Sequence, residues 1–469
     1  LFQNPLQGPA AAKHGRLFLL FALFLLFVFL TGGASRSEVM SLPFLRVVSA
    51  LVIGFALVGI SRAEIDTVRK PLILCGVMAV LILLQLIPLP PSIWTSLPGR
   101  APLLDTYAAL GTDPGWRPIN MVPYLGWNSL FSLIVPIAAL LAFSRLHWMD
   151  KRRTLLALVG VALISALLAV LQISGEPGGS AYLYAITNPT AGVGLFSNRN
   201  HQGFLIAAMI PALVACWQLG QGNGGFPRIG LPIVAGLILF MFVLLLATGS
   251  RAALLLGGGG LIAALVLVPP TARSLTIGFK KKRQLDLRIA LPVAAIAITA
   301  VLTLLTDRTE AINRLADQSF DEELRFALWP PIGEMLRTSF PVGFGVGTFA
   351  EMYRWFEPES LLRLSYVNQA HNDLFDLFLS FGILGALPLL LGLYYWVRAL
   401  PAALRPTGRQ SFDDLLMRRL GLLLVLILAG ASLVDYPLRV PSLAVLFVLA
   451  VAWATGASEA NDDRDQSLR

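Results

Sequence analysis

Apolar positions in this chain do not alternate and do not trace a single helical stripe. They come in runs of about 13 to 24 residues, apolar on nearly all sides, which separates a membrane-spanning helix from a surface helix with one greasy face. The runs predict about twelve spans: Leu17–Thr31, Pro43–Ser61, Leu72–Leu89, Trp127–Phe143, Thr154–Ile173, Gln202–Leu219, Leu231–Ala247, Ala252–Val268, Ile289–Leu305, Leu374–Val397, Leu415–Val434 and Ser442–Ala454. One long polar stretch, 306–372, breaks the pattern before the tenth run. A loop of that length is uncommon and usually functional. The expected architecture is therefore an all-α polytopic membrane protein, divided into an N-terminal segment 1–16, spans one to nine at 17–305, a large helical loop at 306–372, three spans at 373–456 and a polar tail at 457–469. Leu1-Phe2-Gln3 followed by Gly8-Pro9 reads as added sequence and stays outside the fold argument. Leu17–Thr31 lacks a small-residue cleavage site and reads as a span rather than a signal peptide.

Loops between the runs alternate in charge. Basic groups gather at Lys13/Arg16, Arg62/Arg69/Lys70, Lys151/Arg152/Arg153, Lys280–Arg288, and Arg398 through Arg419. The positive-inside rule puts this set, and with twelve spans both termini, in the cytoplasm. The outer set is then 32–42, 90–126, 174–201, 248–251, 306–372 and 435–439. Trp94, Trp116, Trp127, Tyr107 and Tyr124 in the second of these suit an interfacial segment. In the large loop, Leu324, Leu328, Ile332 and Leu336 keep helical spacing, and Pro330-Pro331 predicts two short helices or a kink.

Composition agrees with the pattern. The 469 residues are 56% hydrophobic and 13% charged, with mean hydropathy +0.73; a soluble domain carries about 25% charge. The net charge of +9 follows the loop distribution and does not indicate nucleic-acid binding. Cys75 and Cys216, both inside apolar runs, imply neither a disulfide framework nor a zinc site.

Four outer places combine polar groups at short spacing: Ser197-Asn198-Arg199-Asn200-His201, Thr248-Gly249-Ser250-Arg251, Arg325 near Trp329, and His371-Asn372. Each has a plainer reading. Arg199 and Arg251 alone are interfacial anchors, Arg325 is a solvated helix residue, and His201 and His371 cap or anchor helices. Two arginines beside two histidines on one predicted side instead point to an anion at the membrane surface. Asp321-Glu322-Glu323 lacks the supporting ligands of a metal site and reads as a solvated face. Gly343-Phe344-Gly345-Val346-Gly347 has no following Lys-Ser/Thr and is weak as a phosphate loop. Gly257–Gly260 permits close helix packing.

Taken in order, Phe196–His201, Thr248–Arg251, Arg325 with Trp329, Pro341–Gly347, and His371-Asn372 followed by Phe381–Gly385 resemble the motifs of the O-antigen ligase and O-antigen polymerase superfamily of bacterial envelope glycosyltransferases, over about 192–441. The resemblance implies an architecture similar to GT-C-type membrane glycosyltransferases, an inner-membrane location and a site facing the periplasm. It implies transfer of a glycan from undecaprenyl pyrophosphate to an acceptor hydroxyl. Arg199, Arg251 and Arg325 would bind the pyrophosphate and His371 would assist the acceptor, with Asn198, His201, Tyr366 and Asn372 in support. Asp435-Tyr436-Pro437-Leu438-Arg439 also resembles a segment of some members of the family, without an assigned role. Neither metal nor cofactor is expected, because guanidinium groups can stabilise a leaving diphosphate.

The acceptor separates the readings. Lipid A-core makes the protein a ligase, the reading preferred by analogy; a second lipid-linked glycan makes it an O-antigen or exopolysaccharide polymerase. A lipid-linked oligosaccharide transporter is the remote alternative. Spans nearly free of charge and the absence of a repeat disfavour it, and nothing supports a channel or receptor.

Overall fold

The computed structural model describes residues 9–222, 226–268, 319–362, 366–405 and 411–456, with 9–13 and 319–326 described by backbone alone. The helices are α1 (Pro9–Thr31), α2 (Ser41–Leu57), α3 (Arg62–Leu86), α4 (Pro91–Trp94), α5 (Ala101–Leu110), α6 (Pro123–Ser132), α7 (Ile134–Ser144), α8 (Trp148–Ser174), α9 (Arg199–Gln221), α10 (Leu231–Thr248), α11 (Arg251–Ala264), α12 (Ser319–Ser339), α13 (Phe349–Tyr353), α14 (Asp373–Phe381), α15 (Ala386–Leu404), α16 (Phe412–Ser432) and α17 (Pro441–Thr455). Among the described residues the only sheet is a two-residue antiparallel pair, β1 (Pro88–Leu89) with β2 (Arg117–Pro118).

Among the described residues, eight helical segments are long and apolar enough to cross a membrane, and three more are shorter: Ser41–Leu57, Arg251–Leu267 and Pro441–Thr455. Together they correspond to every predicted run except Ile289–Leu305, which lies outside the described residues along with the basic cluster at 280–288. The chain is an all-α polytopic membrane protein. Its centre is α9, apolar all round and almost wholly buried. Small residues let its neighbours close on it. A Cβ added at Gly203 would stand 2.5 Å from Ala253 Cβ on α11, and one at Gly421 of α16 would stand 2.5 Å from the Ala454 backbone nitrogen of α17.

Contacts sort the loops onto two faces. On one, Gly33, Ser197 and Ser442 meet, through Ser197 N–H to Gly33 O at 3.1 Å and Ser442 N–H to Gly32 O at 3.1 Å. On the other, Lys70, Arg145, Lys151, Arg152 and Arg418 gather around the first turns of α3, α8 and α16 and the last turn of α17.

The structure narrows two expectations about the loops. A single helix, α12, runs through Pro330-Pro331 without dividing. Packing supports it: Leu328, Ile332 and Met335 are buried with Met121, Phe344, Phe349 and Met352 in a small core of the large loop, which offsets the two lost backbone N–H groups. The 90–126 segment is only partly interfacial. Trp94 is buried, its Nε1 donating to Gly115 O at 2.8 Å, whereas Trp116, Tyr124 and Trp127 are exposed. The glycine-rich turn is a structural joint. Phe344 N–H donates to Leu379 O at 2.8 Å and Gly345 N–H to Ser380 O at 3.1 Å. Gly345, at φ 106°, leaves no room for a Cβ beside Asn120. Arg100 locks the same joint through the carbonyls of Pro98, Gly343 and Ile119. Burial pulls its pKa down to about 10, so it stays cationic near neutrality.

Candidate active site

The site assembles from four chain segments that the helices bring to one end. The first is the start of α9. Asn198 caps it, its side chain accepting the Asn200 N–H at 2.8 Å, and the Arg199 N–H donates to Asn188 Oδ1 at 3.0 Å. Arg199 is thus the first residue of α9. The second is the turn into α11, where Gly249 adopts φ 66° and Ser250 caps the helix from its side chain. This makes Arg251, which is exposed, the first residue of α11. Gly203 and Ala253 touch within the first turns of these helices. The contact holds the two N-termini, with their arginines, side by side. Both N-termini also present the positive end of a helix dipole.

The third segment carries His371. Its backbone is left-handed at φ 50°, a conformation that disfavours most side chains by about 1–2 kcal/mol. What holds it there is the next residue. Asn372 caps α14, accepting from the N–H groups of Leu374 and Phe375 at 2.9 and 3.2 Å, while its Nδ2 donates to Leu433 O at 2.8 Å. Every polar end of Asn372 therefore fixes backbone, and its part is to aim His371.

The fourth segment, Asp435-Tyr436, connects the others. Asp435 is completely buried. Its Oδ2 accepts from Asn200 Nδ2 at 2.6 Å, and its Oδ1 accepts from the Tyr436 N–H at 3.0 Å. The same Oδ1 lies 3.3 Å from His371 Nδ1, within ion-pair distance but off the line of a hydrogen bond. The His371 ring is 26% exposed although its Nδ1 is buried. A carboxylate beside Nδ1 favours the tautomer with the proton there, which leaves Nε2 as the acceptor. Tyr436 stands between the two histidines, its ring 5.1 Å from both, at 62° to His371 and 77° to His201. His201 is buried behind Tyr436, against Phe196 and Phe204, and packs the site from within.

Two further predicted residues come from the large loop. The side chains of Arg325 and of Asp321-Glu322-Glu323 lie outside the described residues. The helix backbone carries Arg325 one turn before Trp329, whose ring packs edge-on against Phe375 of α14 at 6.0 Å. Tyr366 is a strut. Its hydroxyl donates to Glu38 Oε1 at 2.6 Å, and Arg36 lies 4.5 Å above its ring. Burial and the Glu38 carboxylate both raise the Tyr366 pKa. Burial would also raise Glu38, but the Tyr366 hydroxyl, neighbouring donors and Arg36 outweigh it and hold Glu38 below its ordinary value. Asn368 donates to Ser35 at 3.3 Å beside them.

Asp435 was legible only as part of a polar segment between two apolar runs, and nothing in the sequence links it to His371. Arg36 and Arg439 were equally silent. Arg439 Nε lies 3.6 Å from Asp373 Oδ1, and Asp373 also accepts from Ser432 at 2.8 Å. Among the described residues no group of three His, Cys, Asp or Glu side chains is placed to hold a metal ion.

Residues 236–390 match the family model described as O-antigen ligase. No curated protein matches the chain. Arg251, Arg325 and His371 fall inside the matched region; Arg199 and Asp435 fall outside it.

Proposed function

We propose that this membrane protein, which through residues 236–390 belongs to the O-antigen ligase and polymerase superfamily, moves a glycan from undecaprenyl pyrophosphate onto an acceptor hydroxyl. The preferred acceptor is lipid A-core, which makes the protein a ligase of the bacterial inner membrane, with both termini in the cytoplasm and the site facing the periplasm. The observation that carries this reading is the double use of Asp435. One buried carboxylate faces the imidazole of His371 on one side and holds Asn200, the neighbour of Arg199, on the other. A base and an anion-binding helix start are thereby tied at a set spacing.

In the proposed reaction the acceptor hydroxyl gives its proton to His371 Nε2 as its oxygen attacks the anomeric carbon. The bond from that carbon to the pyrophosphate oxygen breaks, and undecaprenyl pyrophosphate leaves with the electron pair. Attack opposite the leaving group inverts the anomeric configuration. Asp435 stabilises the imidazolium that forms. Arg199, Arg251 and Arg325 oppose the charge that grows on the diphosphate, each able to present paired N–H donors. Donors in place before reaction act most strongly where charge develops. In this reading the arginines supply the charge that a divalent metal supplies elsewhere.

The test is transfer by purified protein from an undecaprenyl-pyrophosphate glycan, in chelator, with lipid A-core or a second lipid-linked glycan offered separately. Product on lipid A-core supports the ligase, and lengthened lipid-linked chains support the polymerase. Movement of intact donor between leaflets without a new glycosidic bond refutes both.

A further inference from the structure

Several arginines among the described residues hold their guanidinium groups through more than one bond. Arg100 donates to three carbonyls, Arg152 to two carboxylates, and Arg418 to the carbonyls of Ala454 and Gly456. Arg46 differs. It sits five residues into α2, roughly 7 Å below the helix start, inside an apolar helix. Among the described residues its one hydrogen bond is to the neutral Oδ1 of Asn128 on α6, at 2.8 Å, and no carboxylate pairs with it. Its remaining N–H groups are unbonded and open to the surroundings. A cation at this depth is costly unless an anion joins it.

Position says which anion. Asn128 is likewise five residues into its helix, so the pair lies at one level. Both helices start at the face that carries His371, and side chains on a helix lean toward its N-terminus, so Arg46 reaches toward headgroup depth. Phe44 and Val47 on α2, and Trp127 and Phe131 on α6, are exposed around the pair. The guanidinium therefore opens sideways, to lipid, between apolar side chains.

We propose that Arg46, with the Asn128 amide beside it, binds the phosphate of a glycerophospholipid in the leaflet at the site face, its acyl chains lying along Phe44, Val47, Trp127 and Phe131. The guanidinium takes two phosphate oxygens, and the Asn128 Nδ2 is free to donate to the same group. This assignment is independent of the transfer reaction.

Native mass spectrometry of the full chain in detergent, with added phosphatidylglycerol or with diacylglycerol of the same chains, tests it. The unsubstituted protein should retain phosphatidylglycerol and not diacylglycerol. Arg46→Gln should weaken retention by on the order of tenfold, the loss of one charge-assisted contact. Asn128→Asp keeps the cation and strengthens its bond within the protein, so a folded variant is expected, and it too should lose the lipid because the new carboxylate neutralises Arg46. Retention of phosphatidylglycerol by Asn128→Asp at the unsubstituted level would overturn the proposal. So would displacement of the lipid by millimolar inorganic phosphate, which marks a free-anion site, or by equimolar undecaprenyl phosphate, which marks a substrate site.

Discussion

The two ends of the helical bundle give their cations different partners. At the end away from His371, several basic side chains near the starts of their own helices reach the carbonyls where neighbouring helices finish. Lys70 and Arg418 donate to the carbonyls of Thr455, Ala454 and Gly456 at the close of α17, and Arg419 donates to Ala403 O near the close of α15. A cation there satisfies orphan carbonyls and opposes the negative end of the dipole, worth about 0.3–1 kcal/mol each. At the site end, Arg199 and Arg251 are the first residues of their helices, where the dipole repels a cation by a similar amount. In the proposed reaction an anion shared between the two arginines would offset that repulsion.

This contrast can be broken at the site end first. His371→Ala should lower glycosyl transfer by about 10²–10⁴-fold, the usual range for a positioned base. Asp435→Asn should do nearly as much, and the double variant should be little worse than either single one, because groups that act together are not additive. Full additivity in a single-turnover assay would separate the two residues. Arg251→Ala and Arg199→Ala should each reduce transfer by about 10²-fold, with Lys restoring only part of it, since a point charge cannot copy a paired donor. Unchanged rates would return both arginines to the role of interfacial anchors.

Smaller effects sharpen the same comparison. Gly203→Val should push α9 from α11 at the Ala253 contact. The expected cost is about 1–3 kcal/mol of stability, together with a loss of transfer larger than the loss of folded protein. Arg418→Ala at the other end should behave inversely. It should lower the thermal midpoint through about 1–2 kcal/mol and leave transfer per folded molecule unchanged. The smallest change is expected from Tyr366→Phe, about 1 kcal/mol locally, read as faster hydrogen exchange over 366–371. Acid should imitate it. Glu38 is held below its ordinary pKa, so its contribution is present above the unfolded value and fades as pH falls through the depressed one.

Much of the fold was legible because the decisive signal is local. A run long and apolar enough to need lipid announces itself without reference to any other run, and polar residues at its mouth mark where it ends. Asn198, Arg199, Arg251 and His371 were placed at helix mouths that way. Of the two outcomes expected at Pro330-Pro331, separate helices are not found, because a distant cluster, Met121 with Phe344 and Phe349, supports one helix through the prolines. Tyr366 and His201 were legible as polar or aromatic groups near the site. Only their contacts turned one into a strut to Glu38 and the other into packing behind Tyr436.

What the amino-acid order settled alone was the class of the molecule: a bundle of apolar helices with polar chemistry at their ends, because a residue's need for lipid or water depends on its own side chain. Partnership was decided by the tertiary structure. The buried carboxylate of Asp435 meets the imidazole of His371 from 64 residues away in sequence and the Asn200 amide from 235, and no local pattern encodes which helix mouths will face each other. Those pairings follow from how closely α9, α11, α16 and α17 approach, which their small residues permit and the whole set of contacts must choose.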